Sequence, residues 1–264
     1  MVIIGEKLNS SSPDVKVMLD KRDAKTAQSL IQKQVHAGAR FIDINTSMAQ
    51  DPYGALIWAV KLAMQAGDCG ICVDVSDADM LVKLYSEVAL PDSIINSITL
   101  EEEKLEKLLP VAKKYGAGVI AMPIHKGGIP KSAEERVANA SELVEILVKS
   151  GIQKENIFVD IVVEAAQANH RGPFEALIAA RELHERYPNV KLVAGISNVS
   201  FGLPQRPALN RAYLTCAMSA GLDAAILDPL DEELMMQLAA TELLLGRDED
   251  SMAYIATCRA IKPV

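Results

Sequence analysis

The chain has 264 residues, half of them hydrophobic and 23% charged, a composition typical of a folded globular protein. Lys and Arg total 27 against 35 Asp and Glu, and the resulting net charge of −8 argues against nucleic-acid binding, which needs a basic face. The four cysteines favour a reducing cytoplasm over a disulfide framework. There is no signal-peptide pattern and no apolar run long enough for a membrane span, so we expect a soluble cytoplasmic protein.

Eight short segments rich in β-branched residues recur along the chain, and a helical pattern follows each of them. The predicted strands cover residues 2–4, 41–45, 71–75, 93–97, 118–122, 157–160, 191–195 and 224–227. Several are almost entirely apolar, which is typical of parallel strands buried on both faces. After the eighth strand, residues 231–245 are predicted as the last barrel helix and residues 248–260 as an additional helix.

Two of the intervening helices begin with the spacing of a capping box, Thr99 with Glu102 and Ser132 with Glu135. Strict alternation of eight strands and eight helices over about 250 residues predicts a single (β/α)8 barrel. No linker interrupts the series, so residues 1–264 are expected to form one domain. A doubly wound open sheet is the alternative, but no glycine-rich dinucleotide fingerprint follows the first strand.

Polar side chains appear where the predicted strands end. The set comprises Glu6, Asn9, Asp43, Asn45, Asp74, Asn96, His125, Asp160, Ser197, Asn198 and Asp228. In a barrel these positions converge on one mouth, the face where barrel enzymes place their chemistry. Any one of them could instead cap the following helix. That explanation is weaker for Asp74, Asn96 and Asp160, because they interrupt the strand patterns themselves.

The predicted mouth is rich in acids and amides and poor in positive charge. A phosphorylated ligand would call for a glycine-rich loop at a helix N-terminus or for an Arg/Lys clamp. Carboxylates and amides instead suit a neutral heterocycle that presents N–H donors and a carbonyl along one edge. Pterins and purines have such edges.

Segment 195–206, with the sequence GISNVSFGLPQR, resembles the segment after the seventh strand in pterin-binding methyltransferases. This group includes the methyltetrahydrofolate:corrinoid protein methyltransferases and the folate domain of cobalamin-dependent methionine synthase. Segments 4–9, 38–45, 95–98 and 221–229 resemble the same group in the same order, so the resemblance covers essentially the whole chain. One departure lies after the sixth strand, where the family often has Asp-Pro and this chain has Asp160 followed by Ile161.

The resemblance implies that Asp74, Asn96 and Asp160 hold a pterin ring through hydrogen bonds and that Asn198 lies near N5, the nitrogen that carries the methyl group. It implies methyl transfer between (methyl)tetrahydrofolate and the cobalt of a corrinoid, in an enzyme that is usually a homodimer. The corrinoid is expected on a separate protein, because the cobalamin-binding pattern DxHxxG is absent from this sequence. The direction of transfer is left open.

The remaining mouth candidates are Glu6, Asn9, Asp43, Ser197 and Arg206. Arg206 could contact the benzoyl-glutamate tail, steer the partner or cap a helix. Asn198 is expected to donate a hydrogen bond to N5 that strengthens in the transition state. Since cobalt is the nucleophile in such a reaction, the chain needs no nucleophile of its own, and no convincing Ser/His/Asp or Cys/His set is present.

Three alternatives remain at this point. A dihydropteroate synthase shares the pterin-binding barrel but would need a Lys/Arg-rich phosphate motif near strands seven and eight, where this chain has SNVSF. A non-catalytic folate-binding protein would bind the pterin without transferring a methyl group. A metal-dependent barrel hydrolase is the weakest alternative, because the mouth lacks a His cluster and no metal site is expected.

Overall fold

The computed structural model describes residues 1–67 and 69–261. Eight parallel strands pair in chain order and close into a barrel, which confirms the predicted fold. The strands are β1 (Val2–Asn9), β2 (Phe41–Asn45), β3 (Gly70–Asp74), β4 (Ser93–Ile98), β5 (Gly118–Ala121), β6 (Ile157–Asp160), β7 (Lys191–Gly195) and β8 (Ala224–Leu227). Predicted and observed strands agree closely except at β1, which continues well beyond Ile4.

Helices surround the barrel and connect its strands. They are α1 (Pro13–Lys21), α2 (Ala24–His36), α3 (Pro52–Gln65), α4 (Ala78–Glu87), α5 (Glu102–Tyr115), α6 (Ala133–Lys149), α7 (Gly172–Arg186), α8 (Arg206–Ser219), α9 (Glu232–Leu244) and α10 (Met252–Ile261). The predicted additional helix is therefore present as α10, which packs against α9. None of the helices in the described ranges is both long and apolar enough to cross a lipid bilayer.

Of the two predicted helix caps, the one at Ser132 is confirmed and the one at Thr99 is wrong. The Ser132 hydroxyl accepts a hydrogen bond from the Glu135 N–H at 3.2 Å and so caps α6. Thr99 accepts instead from the N–H of Glu101, the residue that precedes the first turn of α5. The N-cap of α5 is Glu101, two residues later than the spacing suggested, so Thr99 shapes the loop before the helix rather than its first turn.

The barrel interior contains an apolar layer to which each strand contributes one residue. We call this layer the floor, and its members are Ile4, Phe41, Cys72, Ile94, Ile120, Phe158, Val193 and Ala224. A second and larger apolar core fills the space between the strands and the helices. Burial of each large side chain contributes about 1.5–3 kcal/mol to the stability of the fold. These two layers therefore stabilise the barrel as a scaffold for the carboxyl ends of its strands.

Candidate active site

A cavity of about 430 Å³ opens at the carboxyl ends of the strands, directly above the floor. Nine of the residues proposed from the sequence line it, whereas Asn45, His125 and Asp228, which were also expected at this mouth, are not among its lining residues. The nine are Glu6, Asn9, Asp43, Asp74, Asn96, Asp160, Ser197, Asn198 and Arg206. The sequence interpretation missed other lining residues, among them Ser11, Met122 and Phe201.

The strand period places the polar groups on this surface. Side chains two residues apart on a strand point to the same face, so each residue that follows a floor residue by two positions lies above the floor. Glu6 follows Ile4 in this way, and Asp160 follows Phe158. Asp43, Asp74 and Asn96 stand in the same relation to Phe41, Cys72 and Ile94. Met122 follows Ile120, so the same rule applied to β5 would have found it.

Two carboxylates lie side by side on the β2–β4 side of the cavity. Asn96 Nδ2 donates to Asp43 Oδ1 at 3.2 Å, and Asn45 Nδ2 donates to Asp74 Oδ2 at 2.7 Å. Burial and the neighbouring Asp74 charge raise the pKa of Asp43 to about 8. Burial also raises the pKa of Asp74. The pair therefore carries a proton at neutral pH, and this side of the cavity can donate as well as accept a hydrogen bond.

The amide of Asn45 is held in one orientation. Its Oδ1 atom accepts from the Ser47 N–H at 3.1 Å and from the Ser47 hydroxyl at 2.8 Å. The amide nitrogen must therefore face Asp74, whose carboxylate is fixed before any ligand arrives.

Asp160 occupies the other side of the cavity. Its Oδ1 atom accepts from the Val162 N–H at 2.7 Å. Val162 has φ of 55°, a left-handed conformation that is rare for a β-branched residue. Burial raises the pKa of Asp160 to about 6, and the Val162 hydrogen bond and the Arg136 guanidinium oppose that rise. The chain departs from the resembled family directly after Asp160, yet the carboxylate still faces the cavity.

The third wall is the short 3₁₀ turn Ile196–Ser200 after β7. The Ser197 hydroxyl donates to Glu6 Oε2 at 2.9 Å. Burial raises the pKa of Glu6 to about 7, with the Ser197 hydrogen bond acting in the opposite direction. Arg206 braces the turn, because its Nε donates to the Ser200 hydroxyl and its Nη2 to the Ser197 carbonyl, at 3.1 and 3.0 Å.

Asn198 lies on this braced turn, lines the cavity and is exposed. Within the described part of the chain, its side-chain amide makes no hydrogen bond, so it is available to a ligand. Gly195 leaves room for it, since a Cβ atom at this position would lie 2.9 Å from Asn198 Nδ2.

Comparison of the sequence with known proteins places this chain in a family. Residues 5–228 match the sequence profile of the pterin binding enzymes. The chain belongs to this family. It is 30% identical over 257 residues to a methylcorrinoid:tetrahydrofolate methyltransferase of Eubacterium limosum, and the match covers 96% of this chain and 94% of that protein. It is 25% identical over 240 residues to methionine synthase of Mycobacterium tuberculosis, of which it spans only 20%.

Solved structures of dihydropteroate synthases have the same fold as this pterin binding enzyme. The Clostridium difficile protein superposes with a TM-score of 0.71 at 20% identity, and the match covers 92% of this chain and 96% of that one. The Yersinia pestis protein gives 0.68 at 19% identity, with 93% of each chain covered. At these identities the likeness shows the barrel architecture alone.

Proposed function

We propose that this pterin binding enzyme is a methyltransferase that moves a methyl group between N5 of tetrahydrofolate and a corrinoid carried by a separate protein. The observation that carries the proposal is the convergence of buried acids and amides over an apolar floor, with one available amide on the rim. The relative from Eubacterium limosum, which matches along nearly its whole length, supports the same reaction.

The cavity has the chemistry that a reduced pterin needs. A pterin is a flat bicycle with an apolar face and an edge of amino, ring N–H and carbonyl groups. A carboxylate can accept two parallel hydrogen bonds from the amino group and the adjacent ring nitrogen, and the Asn96 amide can both donate and accept. The volume of about 430 Å³ falls within the ordinary range for small-molecule pockets.

The chemical difficulty in this reaction lies at N5, which is a poor leaving group. As the C–N bond breaks, N5 gains electron density, and a donor aimed at it stabilises the transition state more than the ground state. We assign this role to Asn198, because its amide lies on the cavity rim and is held on a braced turn. A preorganised donor of this kind contributes about 2.7–4 kcal/mol.

A corrinoid on the partner would supply the cobalt centre, as methyl acceptor in its reduced form and as methyl donor in its methylated form. The chain's own contribution is to bind the pterin, orient N5 toward the opening and provide the hydrogen bond from Asn198. We also propose that the enzyme is a cytoplasmic homodimer, on the strength of its composition and its sequence resemblance. Light scattering of the purified protein tests the dimer.

The decisive experiment uses free cobalamin in place of the partner. The protein is mixed with methyltetrahydrofolate and reduced cobalamin, and cobalt absorption reports methylation; methylcobalamin with tetrahydrofolate tests the reverse direction. We expect transfer in at least one direction. Binding of tetrahydrofolate without transfer to any corrinoid would identify a folate-binding protein instead. Condensation of a pterin diphosphate with p-aminobenzoate would identify a dihydropteroate synthase.

A further inference from the structure

A buried arginine lies behind Asp160 and has no part in the mechanism described above. Arg136, on the first turn of α6, has a side chain that is only 1% exposed. Its Nη2 atom donates to Glu164 Oε2 at 2.7 Å. Its Nε and Nη1 atoms are buried and have no hydrogen-bond partner among the described residues.

Glu164 connects this arginine to the site. It lies in the loop between β6 and α7, four residues after Asp160, and it also accepts from Asn169 Nδ2 at 3.1 Å. The same loop contains Val162, whose strained backbone directs its N–H at the Asp160 carboxylate. One ion pair thus fastens to α6 the loop that holds Asp160 in place. Strained backbone of this kind persists only where the surroundings enforce it.

The charge of Arg136 also reaches Asp160. Arg136 from α6 and Tyr213 from α8 interact electrostatically with Asp160. The other titratable side chains of the same cavity are Glu6, Asp43, Asp74 and Arg206. Burial raises the pKa of Tyr213, so its hydroxyl stays neutral. Arg136 lowers the pKa of Asp160, and its effect is weakly screened in a buried environment. Glu164 contacts only one of its nitrogen atoms, which leaves Nε and Nη1 without a hydrogen-bond partner among the described residues.

We propose that Arg136 is a positioning residue of the pterin site: held by Glu164, it fixes the loop that follows Asp160 and keeps the Asp160 carboxylate ionised to accept hydrogen bonds from the pterin edge. The inference rests on the proposed binding of a reduced pterin. It also fits the contrast with Asp43, whose pKa is raised to about 8 by burial and by the neighbouring Asp74 carboxylate, with no cation in the described ranges opposing the rise.

The test measures tetrahydrofolate affinity by calorimetry from about pH 5 to about pH 9, a range that brackets the pKa of Asp160. The wild-type protein should lose affinity as the pH falls through about 6, because protonated Asp160 loses an acceptor. Arg136→Met should move this midpoint upward by about one pH unit, so that affinity is weak at neutral pH and recovers in alkali. Arg136→Lys, which keeps the charge, should retain the wild-type midpoint.

Glu164→Gln separates the effect of the Arg136 charge from the structural effect of the ion pair. It removes the ion pair but keeps the guanidinium, so its midpoint should stay at or below the wild-type value. If Arg136→Met and Glu164→Gln instead weaken binding equally at every pH, Arg136 is merely structural and the proposal is wrong. If Arg136→Met unfolds, the double variant with Glu164→Gln leaves no unpaired carboxylate, and the same upward movement is expected. A wild-type protein that binds no tetrahydrofolate at any pH refutes the proposed function itself.

Discussion

The carboxylates of the cavity and the turn that carries Asn198 differ in how far their hydrogen bonds are already formed. Asp43 and Asp160 are buried, and each accepts a hydrogen bond from the protein; Asp74 is half-buried and does the same. Asn198 is exposed on a turn that is itself braced by Arg206. Groups that are fixed in advance suit the binding of a rigid ring. Asn198 has a fixed backbone and a side-chain amide without a hydrogen-bond partner among the described residues. Such a donor suits an atom whose charge changes during the reaction, as proposed for N5.

The largest effect is expected from Asn198→Ala, which removes the uncommitted donor. The rate of methyl transfer should fall about a hundredfold or more, because a single transition-state hydrogen bond is lost. Tetrahydrofolate affinity should change little. Stopped-flow absorption with free cobalamin measures the rate, and Asn189→Ala, an exposed asparagine before β7, is the matched control. Normal turnover in Asn198→Ala would refute the assigned role.

Asp74→Ala and Asp160→Ala should act on binding instead. Each variant leaves ring donors of the ligand without an acceptor, which costs about 1–3 kcal/mol of affinity. Calorimetry with tetrahydrofolate measures the loss. Asp92→Ala, which removes a carboxylate from the start of β4 at the far end of the barrel, should bind normally. Unchanged affinity in both site variants would show that the ligand binds elsewhere.

Asp43→Asn should stabilise the unliganded protein. At alkaline pH its free energy of unfolding should exceed that of the wild type by about 1 kcal/mol or more. The pKa of Asp43 is about 8 in the folded protein and about 3.9 in an unfolded chain. Between these values the folded state binds more protons than the unfolded state, so stability declines as the pH rises. An amide does not titrate, and the gain should shrink toward about pH 4. Thermal melting across this range checks the sign, and a variant that is destabilised at every pH contradicts the prediction.

Asn45→Ala should give the smallest effect, because Asn45 acts through Asp74 rather than on the ligand. We expect tetrahydrofolate affinity to fall by about 1 kcal/mol. The double variant with Asp74→Ala should be no weaker than Asp74→Ala alone, since the two residues share one interaction. Additive losses in the double-mutant cycle would show that Asn45 has a separate contact of its own.

The sequence predicts the barrel and the cavity lining well, because both follow from local periodicity. Apolar runs located the strands, and the polar residues where those runs end marked the mouth. The predicted end of β1 was wrong, because the pairing with β2 is irregular between Gly5 and Leu8 and the strand continues to Asn9. Glu6 therefore lies within the strand and not after it.

Contacts between distant segments could not be predicted in this way. Arg136 and Glu164 are 28 residues apart and lie on different elements, and nothing in either local pattern pairs them. The brace between Arg206 and the Asn198 turn spans only nine residues, but its geometry depends on the start of α8 and was left open among several roles. Sequence patterns thus located the cavity lining, whereas the groups that support it became visible only in the folded chain.

The eight floor side chains fill the lower part of the barrel, so, within the described residues, the cavity above them opens at the carboxyl ends of the strands. In the proposed reaction, the folate and the corrinoid of the partner must both reach the cavity through that opening. The proposal therefore predicts ordered binding in either direction of transfer: the folate binds first, the partner docks over it, and the folate is released only after the partner dissociates.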